Sequence, residues 1–180
     1  LSSGTLDSAY ATGSIHTSFQ EAGGITGRNG GYISNVYTNV DIYSQQDFLG
    51  GIAGFSSNSY ISNTLVVGEI YSYYQDTTNT HRTIGNVAAT KSNYVWSEQK
   101  MNGLVTSDVN GDILVTTDEL NTLGIYSLKI DIGDYFDDSN IGDNSLPFLY
   151  NSSHSELLPN QKKSKLKTAS FEVKNITLSS

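Results

Sequence analysis

The chain of 180 residues carries ten Lys and Arg against eighteen Asp and Glu, which gives a net charge of −8. Residues 1–160 hold five basic and seventeen acidic side chains, a net charge of −12, so little offsets repulsion from phosphates and nucleic acid binding is not expected. There is no cysteine for a disulfide, a thiol nucleophile or a Cys-ligated zinc, and no apolar stretch approaches the roughly 20 residues that span a membrane. Seventeen glycines, twelve tyrosines and two prolines favour many short strands joined by turns.

An internal repeat with a period of 27 or 28 residues runs through the first part of the chain. The segment GITG at 24–27 recurs as GIAG at 51–54, and YISN at 32–35 recurs at 60–63. A partial copy at 8–15 precedes them, so the sequence begins in mid-repeat and we expect a fragment of a longer polypeptide. A repeat of this length is typical of a solenoid, in which each copy buries its apolar face only against its neighbours.

The segment after the repeated asparagine alternates with period two, as a strand with one buried face does. The small and apolar parity is predicted to face the interior and comprises Ala9/Val36/Thr64, Ala11/Thr38/Val66, Gly13/Val40/Gly68 and Ile15/Ile42/Ile70. The other parity is predicted to form an outer face and comprises Tyr10/Tyr37/Leu65, Thr12/Asn39/Val67 and Ser14/Asp41/Glu69. A fourth, degenerate copy is predicted at 82–96, after an insertion that spans 71–80.

These patterns predict an all-β fold, a right-handed parallel β-helix, over residues 1–107. Equivalent strands of successive copies would stack in parallel about 4.8 Å apart. Ile25 would then lie over Ile52 and Ile33 over Ile61 in the interior, with the paired glycines at the corners.

The repeat fades after about residue 98. Thr116, followed three residues later by Glu119, is the pattern of a capping box and predicts a short helix that ends near Gly124. Because a solenoid needs a cap over its open end, we assign this role to residues 108–150. Residues 151–180 turn lysine-rich and are predicted to be a linker or the start of the next domain.

One segment of the predicted cap resembles a calcium-binding loop. Asp108, Asn110, Asp112 and Glu119 place oxygen-bearing side chains at the first, third, fifth and twelfth positions of such a loop. However, Ile113 occupies the sixth position, where the loop requires glycine. The alternative is a polar turn ahead of a strand.

Two carboxylates and two tyrosines form a candidate site on the predicted outer face. Asp41 and Glu69 occupy the same position on adjacent copies, so their carboxyl groups could approach the separation of about 5 Å that retaining glycosidases use. Tyr10 and Tyr37 lie on the same face, where aromatic surfaces beside carboxylates can hold sugars. This row therefore predicts an enzyme site, a passive contact for sugar or protein, or simply a solvated acidic face.

The inserted segment is the second candidate surface. It contains Tyr71, Tyr73 and Tyr74, and exposed tyrosines are good anchors in protein interfaces. The alternative is that these rings pack back over the edge of the solenoid.

No catalytic motif occurs in the sequence, so no catalytic residue and no cofactor are assigned to this chain. The histidines, His16, His81 and His154, are far apart, and none begins an H-E-x-x-H zinc motif. A G-x-S-x-G nucleophile elbow, a phosphate-binding loop and a dinucleotide fingerprint are also missing.

The repeat resembles a known family. The segment GGIAGFSSNSYISNTLVVGEI at 50–70 is similar to the GLUG-type repeat of bacterial surface proteins, with its glycine pair, Ile-x-Asn and later Gly-x-Ile. The order of a degenerate copy ending in SNYVW at 92–96, then VTTDEL at 115–120 and LPFLY at 146–150, resembles the N-terminal region of streptococcal zinc metallopeptidases that include the immunoglobulin A proteases.

The resemblance implies export, attachment to the cell wall and a separate catalytic domain that holds the zinc. The first hypothesis is therefore a non-catalytic β-helix of a secreted metalloprotease, serving as a scaffold and orienting a host protein substrate such as an immunoglobulin. The second hypothesis is an adhesin stalk that binds host glycan or protein, and the third is a polysaccharide-active β-helix enzyme.

Overall fold

The chain forms a parallel β-solenoid of about three turns, with one short helix among the described residues, which confirms the fold class predicted from the repeat. Thr5 pairs with Tyr32 and Tyr32 with Tyr60, so each copy of the repeat is one turn of the solenoid. The structure is a computed structural model, and it describes residues 3–74, 79–86, 89–105, 112–122, 136–137 and 146–149.

The first two turns have the same three strands, one long and two short. In the first turn these are β1 (Thr5–Thr17), β2 (Ala22–Gly23) and β3 (Thr26–Asn29). In the second turn they are β4 (Tyr32–Ser44), β5 (Leu49–Gly50) and β6 (Ala53–Ser56). Each strand pairs in parallel with its equivalent, β1 with β4, β2 with β5 and β3 with β6, so three sheets run along the solenoid.

The third turn contains the insertion that the sequence predicts. Its strands are β7 (Tyr60–Val66), β8 (Ile70–Ser72), β9 (Thr80–His81) and β10 (Ile84–Asn86). Ile42 pairs with Ile70, whereas Leu49 pairs with Thr80, so the extra residues lie between β8 and β9.

A partial fourth turn and a second layer complete the described chain. The remaining elements are β11 (Ala89–Trp96), β12 (Lys100–Met101), β13 (Leu104–Val105), β14 (Ile113–Val115), α1 (Thr117–Leu120), β15 (Phe136–Asp137) and β16 (Phe148–Leu149). Strand β11 lies between β7 and β14, while β12 pairs with β8 in parallel and with β13 in an antiparallel hairpin. The predicted degenerate copy thus spans β10, which closes the third turn, and β11, which opens the fourth.

The interior of the solenoid is narrow and contains mainly apolar side chains, as the inward parity predicts, together with buried polar residues such as Thr38 and Thr64. Ile33, Ile52 and Ile61 are fully buried in one cluster, and Ile25 of the first turn packs against it. At a corner, a Cβ on Gly51 would lie 2.6 Å from the carbonyl oxygen of Arg82 in the next turn, so only glycine lets the two backbone segments approach this closely.

The repeated asparagine has a conformational reason. Ser8, Asn35 and Asn63 occupy equivalent positions and all have a left-handed backbone, with φ of 55°, 53° and 49°. Asparagine tolerates this region better than most residues. The amides also form a ladder, because Asn63 Nδ2 donates to Asn35 Oδ1 at 3.3 Å and Asn35 Nδ2 donates to Asp7 Oδ1 at 2.7 Å.

The outward parity does point away from the interior, but its predicted exposure is wrong for most of the sheet. Tyr37, Leu65 and Val67 are fully buried, and Asn39 is 3% exposed. The three apolar residues among them belong to a second apolar layer on the outer face of the sheet, whose other buried members are Tyr94, Trp96, Val115, Leu120, Phe136 and Leu146. The period-two pattern separates the two faces of a strand but carries no signal for a later segment that folds over one of them.

Helix α1 fixes this layer to the sheet and begins as predicted. Thr116 Oγ1 accepts the Glu119 N–H at 3.2 Å, while Glu119 Oε2 accepts the Thr116 N–H at 2.9 Å, which is the predicted capping box. The predicted end near Gly124 is wrong, since the helix ends at Leu120. Thr122 Oγ1 donates a hydrogen bond to the carbonyl of Asp118 at 2.8 Å. This side chain supplies a donor for a carbonyl of the last turn, so the helix does not need to continue to satisfy it.

Replacing Thr116 by alanine should lower the free energy of unfolding by about 1 kcal/mol, because the Glu119 N–H loses its acceptor. Urea denaturation checks this value. Thr116→Ser keeps a hydroxyl and should recover most of the stability. An equal loss in the exposed control Thr5→Ala would contradict the cap as the cause.

Candidate functional site

Exposed aromatic side chains gather where the long strand of each turn ends. We call this surface the aromatic corner, and it comprises His16, Phe19, Tyr43, Tyr71, Tyr73 and Tyr74. Elsewhere on the described chain, large apolar side chains are mostly buried in three clusters. A concentration of exposed rings on one edge of a protein marks a candidate contact surface.

Three of these rings form a ladder along the solenoid axis. His16 pairs with Tyr43, and Tyr43 pairs with Tyr71, at the same position of successive turns. The ring centres of His16 and Tyr43 are 4.7 Å apart at 10°, and those of Tyr43 and Tyr71 are 6.4 Å apart at 38°. The repeat therefore places like residues over like on the outer surface as well as in the interior.

The insertion adds two more tyrosines beside the ladder. Tyr73 N–H donates to the carbonyl of Ser44 at 2.8 Å, and Ser72 N–H donates to Asn102 Oδ1 at 2.7 Å, so hydrogen bonds tie the start of the insertion to the neighbouring turns. The rings of Tyr73 and Tyr74 meet at 86° with centres 5.3 Å apart, and they are 66% and 67% exposed. The hypothesis that these tyrosines pack back over the solenoid does not account for such exposure.

A groove of about 460 Å³ lies along the aromatic corner. Its lining consists of four rings and four neutral polar side chains, namely His16, Tyr43, Tyr71 and Tyr73 with Thr17, Ser18, Ser44 and Gln45. The groove is shallow and largely open to solvent, so it would contact one side of an extended ligand and would not enclose a compact one.

The carboxylate pair of the predicted outer face lies one row away from the aromatic ladder. Asp41 and Glu69 precede Tyr43 and Tyr71 by two residues, so each acid points to the same side of the sheet as the tyrosine that follows it. Asp41 Oδ1 accepts the N–H of Glu69 at 2.9 Å, and both residues are half-buried. Asp41 thus bridges two turns where the chain passes from β7 to β8, which is a structural role. The enzyme hypothesis for this pair stays a prediction.

The two tyrosines predicted to share that face do not lie at the aromatic corner. Tyr37 is fully buried, stacked on Tyr10 with ring centres 5.1 Å apart and packed against Phe136 at 5.7 Å. Tyr10 is half-buried against the same layer. In this structure Tyr37 is therefore inaccessible to a ligand, and its predicted surface exposure is wrong.

The calcium prediction falls partly outside the described residues, where Asp108 and Asn110 lie. Of the other two predicted ligands, Asp112 Oδ2 accepts the hydroxyl of Thr83, and Glu119 closes the capping box. In the part of the chain that the structure describes, no three His, Asp or Glu side chains come together as metal ligands. The prediction of calcium stays untested at its first two positions.

A salt bridge between Glu21 and Arg28 stabilises another corner of the first turn. Arg28 Nε donates to Glu21 Oε2 at 2.9 Å, and the guanidinium lies 4.8 Å from the ring centre of Phe55. The hydrogen bond from Arg28 holds the pKa of the Glu21 carboxyl below its usual value. Neither residue lines the groove.

Sequence reasoning identified Tyr71, Tyr73 and Tyr74 as a surface but missed His16 and Tyr43. The outward-facing positions were assigned only as far as Ser14, Asp41 and Glu69, and the next outward position of the strand was left out. Two residues further, the same parity gives His16, Tyr43 and Tyr71, so the ladder was present in the repeat.

No protein-family model, curated protein or solved structure matches the chain. The β-solenoid stands on its strand pairing, while the GLUG-type and metallopeptidase resemblance stays a prediction. Within the described ranges, no helix is long and apolar enough to cross a membrane.

Proposed function

We propose that this chain is a non-catalytic β-solenoid module that holds a large extracellular partner against its aromatic corner. The observation that carries the proposal is the ladder of His16, Tyr43 and Tyr71 with the exposed Tyr73 and Tyr74 beside it. Tyrosine is enriched among the residues that dominate binding energy at interfaces, and it loses little conformational entropy when it is buried there.

The solenoid supports this role because it presents the rings from a fixed backbone. Tyr43 and Tyr71 lie on paired strands, β4 and β8, and the following Tyr73 is tied to Ser44 by a backbone hydrogen bond. Rings held in this way need little ordering when a partner binds, so less of the interaction energy is lost.

The resemblance of the sequence suggests the parent of this module. We propose a secreted, wall-associated zinc metalloprotease of the immunoglobulin A protease type, in which the zinc belongs to a separate catalytic domain. The module would then act as a scaffold and orient a host protein, such as an immunoglobulin, for cleavage elsewhere.

Replacement of Tyr43, Tyr73 and Tyr74 by serine in the parent protease should raise KM for a large protein substrate about tenfold or more. The expectation follows from the loss of two or three anchors, since about 1.4 kcal/mol corresponds to a factor of ten. The kcat for that substrate and the kcat/KM for a short peptide should not change, because a short peptide does not reach the corner.

The matched control is Tyr32→Ser, since Tyr32 is 61% exposed but lies at the other end of β4. The orienting role is refuted if the triple variant and the control give the same KM, or if peptide and protein substrates are affected alike.

A second candidate is an adhesin stalk, and the neutral polar lining of the groove favours it. In that case the partner is a host glycan or protein, and no catalytic domain is needed. The triple variant should then reduce attachment of beads coated with this module to host cells, while Tyr32→Ser should not. Unchanged attachment would count against the adhesin.

A further inference from the structure

The groove at the aromatic corner has an unusual set of side chains for so acidic a protein. Four of its eight lining residues are aromatic, and the other four offer hydroxyl or amide groups. Among the described residues that line it there is no Asp, Glu, Lys or Arg, and no aliphatic side chain of the Leu, Ile or Val type.

This composition restricts the chemistry of a ligand. A phosphate, sulfate or carboxylate group is best held by Arg or Lys, and the only basic side chain in the lining is the imidazole of His16. The net charge of −12 over residues 1–160 also repels anions. A lipid tail would need an apolar lining, because the hydroxyl and amide groups would lose their hydrogen bonds to water on contact with it. A basic peptide would gain most from carboxylates within the groove, but Asp41 and Glu69, the acids in the row beside the ladder, do not line it.

A sugar matches both halves of the lining. Its C–H faces are apolar enough to pack on an aromatic ring, and its hydroxyls donate and accept hydrogen bonds as Ser, Thr and Gln side chains do. Ser18 and Gln45 are exposed and face no competing carboxylate within the lining.

The rings of the ladder and the rings of the insertion differ in how much of their faces they leave open. His16 and Tyr43 are stacked, so each covers one face of the other. Tyr73 and Tyr74 meet edge to face and are about two thirds exposed, which leaves ring faces open for stacking. One saccharide unit could therefore pack on Tyr73 while the next one hydrogen-bonds along the ladder.

We propose that the groove lined by His16, Tyr43, Tyr71 and Tyr73 is a binding site for a neutral glycan, one without carboxylate, phosphate or sulfate groups. The proposal rests on the proposed role of the aromatic corner as a contact surface and names the ligand class for it. Each contact between a sugar unit and a ring lies at an open surface and is weak by itself. The affinity for the glycan therefore comes from several such contacts along an extended oligosaccharide.

The test is a titration of the whole chain with uncharged oligosaccharides, in which NMR of 13C-labelled tyrosine rings monitors binding. Cellohexaose, chitohexaose, maltohexaose and mannohexaose are the probes, with heparin and poly-lysine as charged comparisons. At least one neutral hexasaccharide should shift the rings of Tyr43, Tyr71 and Tyr73 but leave Tyr32 and the buried Tyr37 unmoved. Tyr73→Ala should weaken that binding about tenfold, and Tyr32→Ala should leave it unchanged.

Silence of all four neutral probes overturns the proposal, as does binding that survives Tyr73→Ala undiminished. If poly-lysine alone shifts the ladder rings, the site takes a basic protein segment, so the glycan proposal fails while the proposed function stands. If a hexasaccharide binds but the triple corner variant leaves KM for the protein substrate and cell attachment unchanged, the proposed function fails and the glycan site stands.

Discussion

Gly54→Ala should lower the free energy of unfolding by about 3 kcal/mol or more, at the upper end of what overpacking costs. A Cβ at this position would lie 2.5 Å from both the carbonyl carbon of Glu21 and the carbonyl oxygen of Phe48, and 2.6 Å from the nitrogen of Ala22. All three are backbone atoms, in Ala22 of β2 and in the residues directly before β2 and β5, so no side chain can rotate to make room.

The matched control is Gly13→Ala, where the added Cβ has nothing within 4 Å but φ is 122°. That variant should lose only the free energy of holding alanine in an unfavourable backbone conformation, about 1 to 3 kcal/mol. Equilibrium urea unfolding of both variants measures the difference. If Gly54→Ala is no more destabilised than Gly13→Ala, the close packing of the solenoid corner is not what requires glycine.

The solenoid could be predicted because the residues that determine it recur in each turn. The Ile33 and Ile61 pair, the returning glycines and the asparagines at 35 and 63 each occur at the spacing of one turn, and each has a physical cause in the structure. A residue type that recurs at a fixed offset is constrained by its own copies above and below, so local reasoning reaches a long-range contact.

The second layer could not be predicted in the same way. Phe136 and Leu146 pack on the sheet from segments that share no period with it. An alternating strand does not indicate which part of its outer face another segment will cover, since on the same face Tyr37 is fully buried while Tyr43 is 37% exposed. Contacts of this kind depend on the path of a non-repeating chain.

The candidate site falls between these cases. The aromatic ladder follows from the repeat. His16 and Tyr43 could therefore be predicted to lie on the same face of the strand as Asp41. The groove could not be predicted, because it also needs the insertion to bring Tyr73 beside the ladder, and an insertion interrupts the repeat that would position it.

Tyr37→Ala should destabilise the protein by about 3 to 5 kcal/mol, the cost of removing a buried aromatic side chain. The ring is fully buried between Tyr10, on which it stacks, and Phe136 of the second layer. Its loss would leave a cavity at the junction of the sheet and the layer, and the paired strands around it cannot collapse to fill that space. Tyr37→Phe keeps the ring and should lose much less.

The exposed Tyr73 supplies the comparison that separates the two kinds of tyrosine. Tyr73→Ala should change the free energy of unfolding by no more than about 0.5 kcal/mol, because its ring is 66% exposed. Thermal and urea unfolding of both variants are compared with their binding in the oligosaccharide titration. Tyr37→Ala should lose stability and lose binding only as a consequence. Tyr73→Ala should lose binding but keep its stability. If Tyr37→Ala unfolds like the native chain, the second layer does not cover the sheet, and Tyr37 returns as a candidate for direct contact with a ligand.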